Sequence, residues 1–190
     1  MPILGIIASQ DYPRSTNSYE SIQTYTVGGA GSSNISFTSI PATYTHLQIR
    51  GICTTTRNSN DGNVAKLRFN NDTGSNYYTT HGMGSSGLAL IATASGQFTS
   101  IYLERTANTV NSNVFSAVIL DILDYSLTTK NKAIRALMGY EINAASNTYN
   151  LNYQSGLWMS TSAITQIDLF PDTGNFAQYT QFALYGIKGA

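Results

Sequence analysis

The chain has 190 residues with ten basic and ten acidic side chains, so its formal net charge is zero and charged residues make up 11% of it. Soluble domains usually carry about 25% charged residues, and Ser, Thr and Asn fill the deficit here. Because hydrophobic residues reach 42%, the chain lacks the low hydrophobicity and high net charge of a disordered protein. Its scattered Lys and Arg residues exclude nucleic acid as the main partner, since binding a phosphate backbone requires clustered basic residues.

Zero net charge also bears on how copies of the chain behave toward one another. Copies without net charge do not repel one another electrostatically, so one protection against association is missing. We therefore infer a protein that works within an assembly. The alternative is an ordinary Thr-rich β domain.

The amino-terminal segment MPILGIIASQ holds a short apolar run with no basic residue before it. The run is too short for a signal peptide or a membrane span, so the sequence predicts a protein made in the cytoplasm, with no membrane partner. We expect residues 1–18 to form an extended arm outside the main domain. Four apolar residues of the arm are candidates for contact with a partner: Ile3, Leu4, Ile6 and Ile7.

From residue 19 onward, apolar and polar residues alternate over short stretches separated by turn motifs rich in Gly, Asn, Ser and Asp. The segment 81–97, rich in Gly, Ser and Ala, is predicted to be a long loop. Besides a strand at 3–8 in the arm, the pattern predicts strands near 19–27, 34–40, 44–52, 63–69, 76–80, 98–104, 113–123, 132–139, 147–153, 163–169 and 179–188.

Two of these segments need separate comment. NVFSAVILDIL, residues 113–123, is the most continuously apolar and is predicted to be a central strand buried on both faces. NKAIRALMGYEI, residues 131–142, has helical composition, but its period-two alternation favours a strand. Roughly ten short strands in one chain of this length predict an all-β fold, a jelly-roll-type β-sandwich that forms a single domain over residues 19–190.

Two Asp-Thr-Gly tripeptides, at Asp72 and Asp172, raise the question of an aspartic protease, whose two carboxylates must lie close together and share one proton. Asn71 precedes the first tripeptide and Pro171 precedes the second. Both surroundings are typical of solvated turns rather than of buried catalytic loops. The sequence therefore predicts two turns at these positions and no catalytic pair.

The sequence also gives little support for other catalytic sites or for a metal site. His46 and His81 are the only histidines, and Cys53 is the only cysteine, so neither a zinc-type cluster nor an internal disulfide is expected. No G-x-S-x-G elbow holds a nucleophile. Asp61 lies in NSNDGN, but the regular Asp spacing of a calcium loop is missing. We predict a protein that is not an enzyme and has no catalytic residues, metal or cofactor.

Aromatic side chains are the remaining candidates for binding, at 11% of the chain. Three alternatives fit those that stand among Asn and Ser: packing in the core, contact with another protein, or stacking on a host glycan whose hydroxyls the amides bind. The residues concerned are Tyr77, Tyr78, Tyr149, Tyr153 and Trp158.

Three stretches carry a resemblance to a known class of proteins. They are SYESIQTYTVGGAGSSNISF (18–37), FTSIPATYTHLQIRGI (37–52) and TSAITQIDLFPDTGNFAQYTQFALYGIKG (161–189). Their sequence and order resemble those of small virion structural proteins of tailed bacteriophages, including cyanophages. The resemblance implies a jelly-roll-like β fold without catalysis, located in the virion after synthesis in the host cytoplasm.

The resemblance implies either a capsid decoration (cement) protein or a tail-associated protein. For a cement protein, the partners would be the major capsid protein and further copies of the chain, and three-fold positions on an icosahedral shell favour a homotrimer. The alternative is a tail or fibre receptor-binding module that recognises a host surface glycan.

Overall fold

The structure is a computed structural model that describes residues 18–58, 62–85, 88–109, 112–141 and 149–189, without the side chains at 85, 88–95, 104, 141, 149 and 150. The predicted arm, apart from Ser18, lies outside these residues, and so do Ile3, Leu4, Ile6 and Ile7. The described residues form strands, turns and loops, and contain no helix.

The described part of the chain contains twelve strands. Their bounds are β1 Tyr19–Thr26, β2 Ile35–Phe37, β3 His46–Thr55, β4 Asn63–Phe69, β5 Tyr77–Ser85, β6 Leu88–Phe98, β7 Ile101–Asn108, β8 Ser116–Ile122, β9 Lys132–Glu141, β10 Tyr149–Trp158, β11 Ile167–Pro171 and β12 Gln181–Ile187.

The strands form two antiparallel layers. The large sheet has the order β1-β12-β3-β8-β9-β10-β5-β6, and the small sheet has the order β2-β11-β4-β7. A short parallel pairing of Thr54 and Thr55 with Ala107 and Asn108 joins β3 to β7 at one end of the layers. The prediction of an all-β sandwich is confirmed.

The strand order also supports the jelly-roll interpretation. If β5, β6, β9 and β10 are left out, the two sheets have the strand orders β1-β12-β3-β8 and β2-β11-β4-β7. Two interlocked Greek keys produce this pairing. In the sequence, β5 and β6 lie between β4 and β7, and β9 and β10 lie between β8 and β11. They lie side by side and extend the large sheet beyond β8.

A large hydrophobic core fills the space between the sheets, because each strand turns alternate apolar residues inward, and a second, small cluster forms around Ala107 and Tyr140. In β4, for example, Ala65, Leu67 and Phe69 are buried. The layers approach closely where β7 crosses β10: a Cβ atom on Gly156 would stand 3.0 Å from the side chain of Ile101. The same Cβ would stand 2.7 Å from the Ile134 side chain on the neighbouring strand β9, so a residue larger than glycine at position 156 would displace the Ile134 and Ile101 side chains.

Three local predictions can be compared with the strands. The preference for a strand over a helix at 132–139 is confirmed by β9. The loop predicted at 81–97 is wrong, because β5 and β6 form an antiparallel hairpin there. Gly, Ser and Ala have low intrinsic β-propensity, but β5 also pairs with β10, and this tertiary pairing overrides the local preference.

The prediction for residues 113–123 is correct in part. β8 is a central strand, flanked by β3 and β9. It is buried on one face only, however, because its inner residues Val118 and Leu120 face the core while Ile119 remains 42% exposed. Nothing in the described part of the chain covers the opposite face of the large sheet, so an apolar strand here has an apolar outer surface.

Candidate functional site

Five large apolar side chains lie exposed on neighbouring strands of the large sheet, on the face that points away from the core. We call this set the outer apolar face. Its members are 42–58% exposed: Ile52 on β3, Ile119 on β8, Leu137 on β9, and Leu151 and Tyr153 on β10.

Strand register brings these side chains together. Ile119 lies directly opposite Leu137, and Leu137 lies directly opposite Tyr153. Directly opposed residues of antiparallel strands place their side chains side by side on the same face. Gly139 lies opposite Leu151 and has no side chain, so a groove of about 380 Å³ opens along this part of the face. The arrangement offers a continuous apolar contact surface.

A row of polar side chains borders the outer apolar face. Gln48 Nε2 donates a hydrogen bond to Asp121 Oδ1 at 2.5 Å, and Arg50 Nε donates to Gln48 Oε1 at 2.5 Å. Arg135 Nε donates to Asp121 Oδ2 at 2.8 Å. An apolar centre with a polar margin is the usual anatomy of a protein–protein interface.

Two of the aromatic residues predicted for a binding surface belong to the core instead. Tyr77 is fully buried and Trp158 is 2% exposed, and their rings stack with centroids 6.3 Å apart. Phe69 packs against both rings. Of the three alternatives left open for these two residues, packing in the core is confirmed. A glycan-stacking or interface role for Tyr77 and Trp158 is wrong, because alternation along β5 and β10 turns both rings inward.

The polar group beside Trp158 is Asp72, in the first Asp-Thr-Gly tripeptide. Its Oδ2 accepts hydrogen bonds from Trp158 Nε1 at 2.7 Å and from Asn76 Nδ2 at 3.0 Å, and its Oδ1 accepts one from the Gly74 amide at 2.9 Å. Partial burial raises the pKa of Asp72, but these hydrogen bonds outweigh it and hold the pKa below the usual value. Asp72 is thus an ionised structural anchor, and the prediction of a simple solvated turn there is incomplete.

Asp172, in the second tripeptide, has different surroundings. Its side chain is 43% exposed and pairs with Lys66 at 2.5 Å. Each carboxylate thus has its own partners, and each serves its own turn, as expected from the sequence.

The remaining predicted aromatics differ in their exposure. Tyr153 is 58% exposed and belongs to the outer apolar face, whereas Tyr78 is half-buried on β5. The Tyr149 side chain lies outside the described part of the structure. Of the five, Tyr153 alone is shown on an exposed apolar surface, and its partners on that surface were not predicted from the sequence.

A second depression lies where the loop between β7 and β8 meets the loop between β11 and β12. Its volume is about 250 Å³, and its lining includes Thr54, Asn113, Phe115, Gln178 and Tyr179. No motif in the sequence marks it, because its walls come from segments far apart in the chain. The positive φ of Tyr179, 69°, is a property of the folded turn.

No group of three or more His, Cys, Asp or Glu side chains in the described ranges is arranged to hold a metal ion. No helix in those ranges is long and apolar enough to cross a membrane. Comparisons with protein-family models, with curated proteins and with solved structures found no match.

Proposed function

We propose that this chain is a non-enzymatic structural protein of a tailed-phage virion, and that it acts as a cement protein bound between subunits of the major capsid protein. The observation that carries the proposal is the outer apolar face. The sequence resemblance to phage virion proteins, the strand order and the low content of charged residues also support it.

The size of the face indicates how such a protein would attach. Full burial of a Leu, Ile or Tyr-sized side chain stabilises by roughly 1.5–3 kcal/mol, and these five are about half exposed, so each contributes about 1 kcal/mol on being covered. A total of about 5 kcal/mol barely offsets the cost of association, which is estimated at about 4–15 kcal/mol. One copy would therefore bind weakly, and a homotrimer with three such faces would gain from multivalency.

Copy number in virions purified from the encoding phage tests the location. Quantitative mass spectrometry should find on the order of hundreds of copies per particle, as expected for a subunit that follows the symmetry of the shell. A few to a few dozen copies would favour the alternative, a tail or fibre receptor-binding module for a host glycan. Absence from purified virions would overturn both.

A pair of leucine variants tests the surface. Leu137 and Leu127 are each 45% exposed, but only Leu137 lies on the outer apolar face, since Leu127 is in the turn after β8. Leu137→Asp should abolish cosedimentation with capsids that lack the protein, whereas Leu127→Asp should not. Equal binding by both variants would contradict the assignment of this face.

A further inference from the structure

The outer apolar face needs a cover whenever no partner is bound to it. Its five large side chains are 42–58% exposed, and a groove of about 380 Å³ opens along it. That volume lies within the range of about 300–1,000 Å³ of sites that enclose small molecules. Large exposed apolar patches on soluble proteins usually mark contact sites, and zero net charge provides no repulsion between copies.

The groove is shaped for aliphatic side chains. Ala117 lies opposite Gly139, and Gly139 lies opposite Leu151. The two small residues leave a gap between the larger side chains of the neighbouring strands. Every residue that lines the groove is glycine or apolar except Arg50. A charged or strongly polar occupant would therefore lose its hydration without gaining partners.

The amino-terminal segment joins the domain at the margin of this face. Tyr19 begins β1, and the guanidinium of Arg50 lies over its ring at 5.2 Å from the centroid. Arg50 in turn lines the groove. The carbonyl of Ser18 accepts a hydrogen bond from the Lys188 amide at 3.1 Å. Residues 1–17 are thus tethered at a fixed point beside the groove.

The length of the segment allows it to reach the whole face. Ile7 lies twelve positions before Tyr19, and an extended chain of that length spans about 40 Å. Leu151, the farthest member of the face, lies five strand steps and six residues of register from Tyr19. Strand spacing and rise convert this offset to about 30 Å. A segment tethered in this way has an effective concentration on the order of millimolar, which favours it over a second copy.

The composition of the segment complements the groove. Residues 1–10 carry no charged side chain. Their large aliphatic residues are Ile3, Leu4, Ile6 and Ile7. Asp11 follows, and Arg50 is an exposed cation without a carboxylate partner among the described residues. Aliphatic side chains in the groove and a carboxylate beside Arg50 satisfy both parts of the surface.

We propose that residues 1–11 of each chain cover the outer apolar face of the same chain until a partner displaces them. The identity of that partner as the major capsid protein rests on the function proposed above. The segment then acts as an intramolecular competitor, which keeps free copies from associating and lowers their affinity for the partner.

A photo-cross-linker at position 6 tests which occupant covers the face. Ile6→Cys is labelled with benzophenone maleimide, for which the buried Cys53 does not compete. Unlabelled and ¹⁵N-labelled chains are mixed, irradiated and analysed by mass spectrometry. We expect cross-links to outer residues of β8, β9 and β10 within one isotopic chain. Leu137→Asp should lower their yield about tenfold, and Leu127→Asp should leave it unchanged.

The other cross-linking outcomes overturn the proposal. Adducts that join an unlabelled chain to a ¹⁵N-labelled chain would show that the segment covers the face of a second copy. Cross-links confined to other surfaces, or equal yields in the two leucine variants, would show that the segment does not bind this face.

A pair of aspartate variants provides a second readout. Ile6→Asp places a carboxylate within the apolar run, whereas Ser9→Asp adds the same charge just after it. If the segment covers the face, Ile6→Asp should expose it and increase the fluorescence of bound bis-ANS about threefold or more, because this dye binds exposed apolar surface. Ser9→Asp should behave as the wild type does. Equal fluorescence of the two variants would contradict the proposal.

The cover and the proposed function fail separately, because neither the cross-linking nor the dye measurement involves a capsid. Where both hold, Ile6→Asp should bind capsids about tenfold more tightly than the wild type, since no segment has to be displaced. Cross-links within one chain without capsid binding by either protein would leave the cover and overturn the proposed function. Weaker capsid binding by Ile6→Asp would show that the segment itself contacts the capsid, and the cover would be wrong.

Discussion

Replacing Asp72 by Asn should destabilise the fold, although the change removes only one charge and no volume. The two carboxylate oxygens accept hydrogen bonds on both sides, from Trp158 and Asn76 at Oδ2 and from Gly74 at Oδ1. An Asn side chain must turn its NH2 group toward one of these donors, so at least one hydrogen bond is lost in either orientation. Hydrogen bonds to charged groups contribute about 1.5–3 kcal/mol and neutral ones about 0.5–1.5 kcal/mol.

We therefore expect Asp72→Asn to lower the free energy of unfolding by about 2 kcal/mol, or the melting temperature by about 4–8 °C for a domain of this size. Urea unfolding followed by tryptophan fluorescence measures the effect directly, since Trp158 is the only tryptophan and donates a hydrogen bond to Asp72. Asp172→Asn is the matched control from the second tripeptide. The ion pair of the exposed Asp172 with Lys66 should contribute less than about 1 kcal/mol to the free energy of unfolding.

The pH dependence gives a second test. The pKa of Asp72 in the folded protein lies below its ordinary value of 3.8, so its contribution is fully present above about pH 4 and is lost as the pH falls through the folded-state pKa. The wild type and Asp72→Asn should thus differ at pH 7 and converge toward pH 2. A constant difference across this range, or a loss in Asp172→Asn as large as in Asp72→Asn, would refute the reasoning.

Three further predictions concern single buried or strained residues. Lys132→Met should lower the free energy of unfolding by about 2–3 kcal/mol, because the fully buried Lys132 ammonium donates hydrogen bonds to the carbonyls of Leu127, Lys130 and Thr161. Chemical denaturation measures this loss, and a value below about 1 kcal/mol would contradict the prediction. Burial raises the pKa of Cys53 from 9.0 to about 12, so a thiol reagent at pH 8 should label only the unfolded protein, and stability should fall as the pH rises from 9 toward 12. Tyr179→Gly should raise the free energy of unfolding by about 0.5–1 kcal/mol, because the cost of positive φ exceeds that of glycine's greater chain entropy, and a lower melting temperature would count against strain at this turn.

Much of the strand arrangement could be predicted because one face of each sheet is buried and the alternation is clear. β4 lies at 63–69, as predicted, since Ala65, Leu67 and Phe69 alternate with polar residues. The hairpin of β5 and β6 could not be predicted in the same way. The first part of β5 is predicted at 76–80, but the Gly-, Ser- and Ala-rich residues that follow have weak strand propensity, and the pairing of β5 with β10 joins partners about 75 positions apart, such as Thr80 and Ser155.

The surfaces were harder to predict than the strands, because exposure depends on which sheet face receives a covering layer. Ile119 and Leu137 have the apolar character of core residues, yet both lie on the uncovered face. Trp158, one candidate for an exposed binding aromatic, is in the core. The pocket at Tyr179 depends on a turn that meets Phe115 and Thr54 only in the folded chain. Composition alone identifies none of these placements.

The pairing of β12 between β1 and β3 has a consequence for how the protein is made. Tyr19 pairs with Ile187, so the first and last described strands must find one another across most of the chain. Such long-range contacts slow folding, and at translation rates of about 5–20 residues per second β1 waits for its partner on the order of ten seconds. Chains released before residue 181 would lack the strand beside Ile52. Completion of the large sheet therefore waits for the synthesis of β12, and chains truncated before it would leave the β3 edge that carries Ile52 without its neighbour.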